Sequence, residues 1–471
     1  NVYTHGSLYS SGFSVVDNRA YDTYSLLEDP AEKNVIDYGD PTKLQGGAFM
    51  DFDVYNVNAQ GLSGMMRPHL LQGEVMGQNR KQSNGNPLST YFSPGVTNSE
   101  PEFRFVGDFS NTYRQNYPGY ANPDLNLRLV APPFDGAPAY GDPADALGAN
   151  YGYAGGNKLA GSRYIKVGAT IQPSVAAGYN KNDRYQSYMI DGFSITNESG
   201  VTYHYALPAY SWAEESYQKR IDESGGLSFN RSTKSNPYAY TWYLTTITGP
   251  DFVDRNSDGK ADANDWGYYV NFEYGKWSNN YTWRNPSQGY HRDEDNDFES
   301  ASMGKKEVYY LNAVRTRTHV ALFEKAARLD GKGSSPEIFT KQSGGTKYTN
   351  DGLFNFNSSQ SLRLDRIYLL NAADYSAVAN NSGTGSSMIV NARNNSQYPE
   401  CELPANILDR QDVEAVGRTS LEAKAIRIIQ FDYDYSLCQG TANSFDALNN
   451  SLTLNGKLTL KALSFKGKGA G

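Results

Sequence analysis

Apolar and polar residues alternate along much of this chain with the period of two that marks a half-buried strand. Val270, Phe272 and Tyr274 alternate with Asn271 and Glu273. Tyr240–Thr248, Glu307–Leu311, Thr318–Phe323, Leu362–Leu370 and Ile426–Tyr435 read the same way, and Arg163–Val175 opens the series. Phe193–Ile195 and Val201–Tyr205, separated by Asn197–Gly200, predict a hairpin. Asn455-Gly456 between Leu452-Thr-Leu454 and Leu458-Thr-Leu460 predicts another, because Asn-Gly accepts the positive φ that both turn positions need. Helix is scarce: Asn406–Val416, closed by Gly417, is the best short candidate. Residues 1–160 read as a loop-rich N-terminal β region and 161–471 as an array of β-hairpins. A loose repeat runs through that array, Tyr243–Ile247 leading to Val270–Tyr274 as Tyr310–Val314 leads to Val320–Glu324. Its uneven spacing excludes a strict solenoid and implies hairpins added side by side to one extended antiparallel sheet.

Composition agrees. The 471 residues include 37 Tyr and 45 Gly, an enrichment in aromatic and turn residues that points to an all-β fold with long irregular loops. A net charge of -8 without a basic stripe argues against nucleic acid as a partner. No apolar run is long enough for a transmembrane helix. The first residues carry no apolar signal core, so either a targeting segment has been removed or this is an internal piece, and Leu463–Gly471 reads as cut from something longer.

The strongest chemical signal lies at Asp254–Asp265. Asp254, Asn256 and Asp258 stand at positions one, three and five of a calcium loop, and Gly259 at six, where the chain must turn sharply. Lys260 would give its carbonyl, Asp262 a ninth-position ligand, and Asp265 the closing carboxylate where a Glu is usual. Ca²⁺ is a hard cation that takes six to eight oxygens, and this stretch offers only oxygens. The competing reading is a solvated acidic turn. The flanks read as strands, so the loop joins two strands and any metal in it is structural. The run Asp293–Asp297 has alternate acids but no turn glycine, which favours a solvated loop over a second cation site.

Modest calcium loops suit calcium-rich extracellular fluid, which makes a secreted or cell-surface location the expectation. There Cys401 and Cys438 could form a disulfide; the alternative is two unpaired thiols. Catalytic signatures are absent. The five histidines, His5, His69, His204, His291 and His319, are scattered, and none pairs locally with a Cys, Ser or carboxylate in a known pattern. His204 and His319 fall in expected strands, where a histidine is ordinarily solvated or hydrogen-bonded. Trp212, Trp242, Trp266, Trp277 and Trp283 could stack on sugars, but packing against the sheet is the simpler role for Trp242 and Trp266.

Four groups of segments resemble a known family. They are Gly61–Pro68; Asp191–Pro208; Gly304–Leu311 with Thr316–Phe323; and Phe431–Gly440 with Gly456–Leu460. Together they are similar to very large secreted surface proteins of the Bacteroidetes related to the Rhs/YD-repeat group. The resemblance implies a spiralling β-sheet shell or scaffold, without catalytic residues, whose partners are other regions of a larger polypeptide and an enclosed or surface-bound polypeptide or glycan. The short YD repeats are not evident here, so the region preceding a closed shell is an equal reading. A glycan- or protein-binding adhesin module and a hydrolase with a carboxylate pair are the competing functions.

Overall fold

The computed structural model describes residues 55–69, 102–105, 164–167, 171, 180, 192–197, 199–220, 229–234, 237–286, 291–292, 298–334, 360–381, 388–389, 403–446 and 451–468. The protein is all-β and its sheets are antiparallel. A small sheet of order β1-β2-β3 is built from β1 (Tyr55–Ala59), β2 (Leu62–His69) and β3 (Glu102–Phe105). A 12-stranded sheet takes β4 (Tyr164–Val167), β5 (Phe193–Thr196), β6 (Thr202–Arg220), β7 (Phe229–Lys234), β8 (Tyr238–Thr248), β9 (Tyr269–Asn285), β10 (His291–Arg292), β11 (Phe298–Arg315), β12 (His319–Ala327), β13 (Leu362–Asn371), β14 (Arg427–Asp446) and β15 (Ser451–Gly467). Its order is β15-β14-β13-β12-β11-β9-β8-β6-β5-β4, with β10 on β11 and β7 on β6. Neighbours in space are mostly neighbours in sequence, as a chain of added hairpins requires.

The pairing returns on itself at one place. β6 pairs β8, β8 pairs β9, β9 pairs β11, and Phe298–Lys306 of β11 pairs back onto the distal half of β6. The ring is filled by side chains from all four strands: Leu207 and Ala209 of β6, Tyr240 and Tyr243 of β8, Tyr274 of β9 and Tyr309 of β11. The tyrosine pairs meet edge-on or tilted, with ring centroids 5.1 Å apart for Tyr243–Tyr274 and 5.8 Å for Tyr243–Tyr309. The tyrosine richness of the sequence finds its structural use here.

A second core lies where α1 (Ala372–Asn381), α2 (Arg410–Val416) and α3 (Arg418–Lys424) cover one face of β12, β13 and β14. Val320, Leu322, Tyr368 and Leu370 meet Val378, Val413 and Leu421 there, all buried. Each fully buried aliphatic side chain contributes roughly 1.5–3 kcal/mol. A third core joins the small sheet to the large one through Tyr55, Val57, Leu62 and Met66 against Phe193, Ile195, Tyr203 and Tyr205.

The expected hairpin at residues 193–205 forms as β5–β6, with Phe193 opposite Tyr205. Its turn is held by Asn197, whose Oδ1 accepts from the backbone amides of Ser199 and Val201 at 3.0 Å each. The helix expected at Asn406–Val416 is shorter. A 3-10 turn, Pro404–Asn406, comes first. The α-helix then starts at Arg410, because Asp409 caps it and Asp412 returns the bond in a capping box.

The hairpin expected at Asn455-Gly456 is a correction. Residues 451–467 form one strand, β15, paired along β14. Gly456 does take a positive φ of 82°, yet within the strand, between two bulges whose extra residues are on β14. The register slips on either side of it, and an added Cβ would meet the Tyr435 carbonyl oxygen at 2.1 Å. Asn-Gly chemistry was read correctly and its structural use was not.

Candidate metal centre

The acidic loop sits at the tip of the β8–β9 hairpin. Thr246, Ile247 and Thr248 pair with Asn271, Val270 and Tyr269, and a further bridge joins Val253 to Trp266. Asp254–Asp265 is therefore the whole of the connection beyond the last bridge, the strand–loop–strand setting its flanks implied.

Within the loop the acids bind the main chain. Asp254 Oδ2 accepts from the Gly259 amide at 2.8 Å, across a turn in which Ser257 and Gly259 have φ of 57° and 74°. Asn256 Oδ1 accepts from the Asp258 amide at 3.4 Å, and Asp258 Oδ1 accepts from the Lys260 amide at 2.9 Å. Asp265, buried, accepts from the Arg255 amide at 3.1 Å and the Asp262 amide at 2.8 Å, tying the two ends of the loop together. Asp262 Oδ1 accepts from the Asn264 amide at 2.7 Å in the same way.

The loop is held from below as well. Asn271 donates to the Ala261 carbonyl at 2.6 Å, and Arg317 donates to the carbonyls of Ala263 at 3.0 Å and Asp265 at 2.5 Å. Arg317 comes from the β11–β12 turn, so a neighbouring hairpin braces the site. No sequence signal near the loop marked either residue.

Among the described residues no three His, Cys, Asp or Glu side chains converge into a ready-made metal cage. The donors of this loop are of a different kind, since they include an asparagine oxygen and a backbone carbonyl. Asp254 Oδ1 is buried and has no hydrogen-bond partner. A carboxylate oxygen withdrawn from water and left unmatched is costly, of order 1–3 kcal/mol or more. A cation placed against it would relieve that cost. The oxygen-only donor set fits a hard divalent ion such as Ca²⁺. Asp254, Asn256, Asp258, Asp262 and Asp265 are the residues that would hold it, with the Lys260 carbonyl.

Asp293–Asp297 lies outside the described residues. So does Cys401, while Cys438 is an exposed free thiol on β14. The proposed bridge between them has no support in the structure. Trp266 is a correction: it is 59% exposed, with the Arg255 guanidinium 5.7 Å from its ring, rather than packed on the sheet. Trp242 packs as expected, edge-on to Phe193 at 5.1 Å. Trp277 is buried and donates to the Gln360 carbonyl at 2.7 Å. His291 and His319 are exposed. His204 is buried, hydrogen-bonded to Thr248 at 3.1 Å, and burial lowers its pKa to about 4.

Two buried ionic clusters went unforeseen. Lys276 and Glu307 pair at 3.1 Å at the tyrosine-filled ring, where Glu307 also accepts from the Tyr210 amide at 3.3 Å. Glu324 of β12 accepts from Arg418 of α3 and from Tyr368 of β13. Single acids and bases in strands gave no sign of which would meet.

No protein-family model, no curated protein and no solved structure matches this chain.

Proposed function

We propose that this chain is a structural segment of a larger secreted or cell-surface polypeptide, an Rhs-like scaffold stiffened by calcium and without catalysis of its own. The observation that carries the reading is the apolar outer edge of the sheet. Among the described residues β15 is the terminal strand of the 12-stranded sheet and has a partner on one side only. Leu452, Leu454, Leu460, Leu463 and Phe465 are 37–63% exposed. The extra residue at Lys461, skipped in the register, keeps Leu463 and Phe465 on the same face as Leu460. Opposite them on β14 stand Phe431, Ile429 and Tyr433, which share that face. A long open edge beside a contiguous apolar face invites another strand or sheet. The scaffold reading supplies one, in other regions of the same polypeptide. Structural pairing also accounts for the buried carboxylates Glu307, Glu324, Asp330 and Asp365, each of which sits on a lysine or arginine.

The edge is tested with Leu460→Thr, Leu463→Thr and Phe465→Thr together. The parent chain is expected to bind a hydrophobic dye and self-associate at high micromolar concentration. The triple variant should lose both while melting within a few degrees of the parent. A parent that stays monomeric and binds no dye would show that β15 needs no cover, and the scaffold reading would fall.

Calcium is tested separately. A ligand that binds only the folded chain stabilises it by about 2.7 kcal/mol at a hundred times its dissociation constant. Calcium should raise the melting temperature and a chelator should lower it. Asp258→Ala should remove most of the difference while leaving the chelated melting temperature in place. Equal melting with calcium and with chelator returns the loop to an ordinary acidic turn.

A further inference from the structure

β15 carries a different chemistry on each face. Leu460, Leu463 and Phe465 lie exposed on one. Lys466 lies on the other, because it stands opposite Ile428, which is buried under the helices. Ala462 and Ser464 share that second face, opposite Asp432 and Gln430. Lys461, the extra residue of the bulge, is exposed and pairs with Asp434 at 3.1 Å. Lys466 is exposed and has no ion pair among the described residues. The Leu458 amide donates to Asp330 Oδ2 at 3.1 Å, so the edge open to a partner is taken from Thr459 to Gly467. Net charge divides in the same way. Residues 447–471 contain Lys457, Lys461, Lys466 and Lys468 and no Asp or Glu. The whole chain stands at -8, so without these four lysines the remainder stands at -12. The edge strand is the basic part of an acidic chain.

We propose that the β15 edge accepts an added strand of one kind, an extended segment in which apolar residues alternate with Asp or Glu. The proposal rests on the scaffold reading and names the chemistry of the partner strand; calcium does not enter it. Main-chain hydrogen bonds along an open edge hold any strand, so the side chains on its two faces must choose. Directly opposed residues of neighbouring strands have their Cβ atoms about 5 Å apart. Apolar residues of the added strand therefore lie beside Leu460, Leu463 and Phe465. Its acids lie on the other face beside Lys466, and beside Lys461 at the bulge. A strand bearing lysine meets like charge there, and an uncharged one gains the apolar face alone. A second copy of β15 brings only lysines to the shared edge, which leaves it the weak, high-micromolar association already expected. An anionic membrane would satisfy the lysines, but its hydrocarbon returns no hydrogen bond to the open N–H and C=O groups of the edge.

Fluorescence anisotropy of short labelled peptides on the full chain tests it. The probes alternate valine with glutamate, with serine or with lysine, and phosphatidylserine vesicles are run beside them. The glutamate peptide should bind most tightly and the lysine peptide least, about tenfold apart, as two cross-strand charge pairs allow. Salt at about 1 M should shrink that difference, because the lysines are exposed. Lys461→Glu with Lys466→Glu should reverse the order, and Lys461→Gln with Lys466→Gln should erase it. All four changes fall at exposed positions, so both variants should melt within a few degrees of the parent. The proposal is overturned by equal affinity for the three peptides, by no peptide binding, by an unchanged order in the glutamate variant, or by capture on the vesicles without binding of the glutamate peptide. The scaffold reading is read out separately, in the dye binding and self-association of the parent and their loss in the triple threonine variant. If those hold while the glutamate peptide fails to bind, the edge is covered by a partner of another chemistry and only this inference falls.

Discussion

Arg418→Ala is expected to destabilise the protein by about 3–5 kcal/mol, the usual result of leaving a buried charge without its partner. The partner is Glu324, whose side chain is 0% exposed. Arg418 grips it with two nitrogens, Nη2 to Oε1 at 2.8 Å and Nη1 to Oε2 at 3.1 Å. Tyr368 donates to Oε2 at 2.7 Å, and Arg366 stands 3.6 Å away. Burial by itself would raise the carboxyl's pKa, but the hydrogen bonds and charge of Arg418, with Tyr368 and Arg366, outweigh it and hold the group below its ordinary value. A carboxylate depressed in the folded state stabilises the fold at pH values above its unfolded pKa. That contribution is lost as pH falls through the folded pKa. The cluster joins α3 to β12 and β13, so its loss should loosen the helices over the sheet. Denaturant melts at neutral pH measure the effect. Glu324→Met with Arg418→Met should cost far less than the two single changes summed, because it leaves no unmatched charge. A single-variant loss under 1 kcal/mol would show that the pair is dispensable.

This cluster also marks how far the sequence could be read. Alternation located the strands because one face of each is buried, as Val270 shows on β9. The strand setting of the acidic loop was legible too, since its turn glycine and flanks lie within one continuous stretch. What depended on distant residues was hidden. Arg317 braces the loop from the neighbouring β11–β12 turn. Glu324 meets Arg418 across 94 residues. Tyr55 and Phe193 meet only because the small sheet docks on β5 and β6. Local signals also misled when two structures share one chemistry. Gly456 takes a positive φ, which a two-residue turn and a tightly packed point within a strand can both use, and only the pairing of β15 along β14 decides between them.

His204 should make the protein lose about 2 kcal/mol of stability between pH 7 and pH 5. The residue lies on β6 between Ser194 of β5 and Thr246 of β8, and it is 2% exposed. Burial lowers its pKa from 6.5 to about 4. In the unfolded chain it takes a proton near pH 6.5, while in the folded chain it resists protonation down to about pH 4. The unfolded state therefore binds more protons across that window, and stability falls as pH falls through it. At about 1.4 kcal/mol per pKa unit, the full loss by pH 4 is about 3 kcal/mol. The window above pH 5 isolates the histidine, because Glu324 and the other depressed carboxylates still hold their charge there. His204→Gln keeps a hydrogen-bonding group for Thr248 and cannot take up a proton. Its stability should be nearly flat from pH 7 to pH 5, and below that it should decline with the carboxylates as the parent does. Parallel losses in parent and variant over the upper window would move the pH dependence elsewhere in the molecule. A flat variant would fix it on His204, which the sheet has closed away from water.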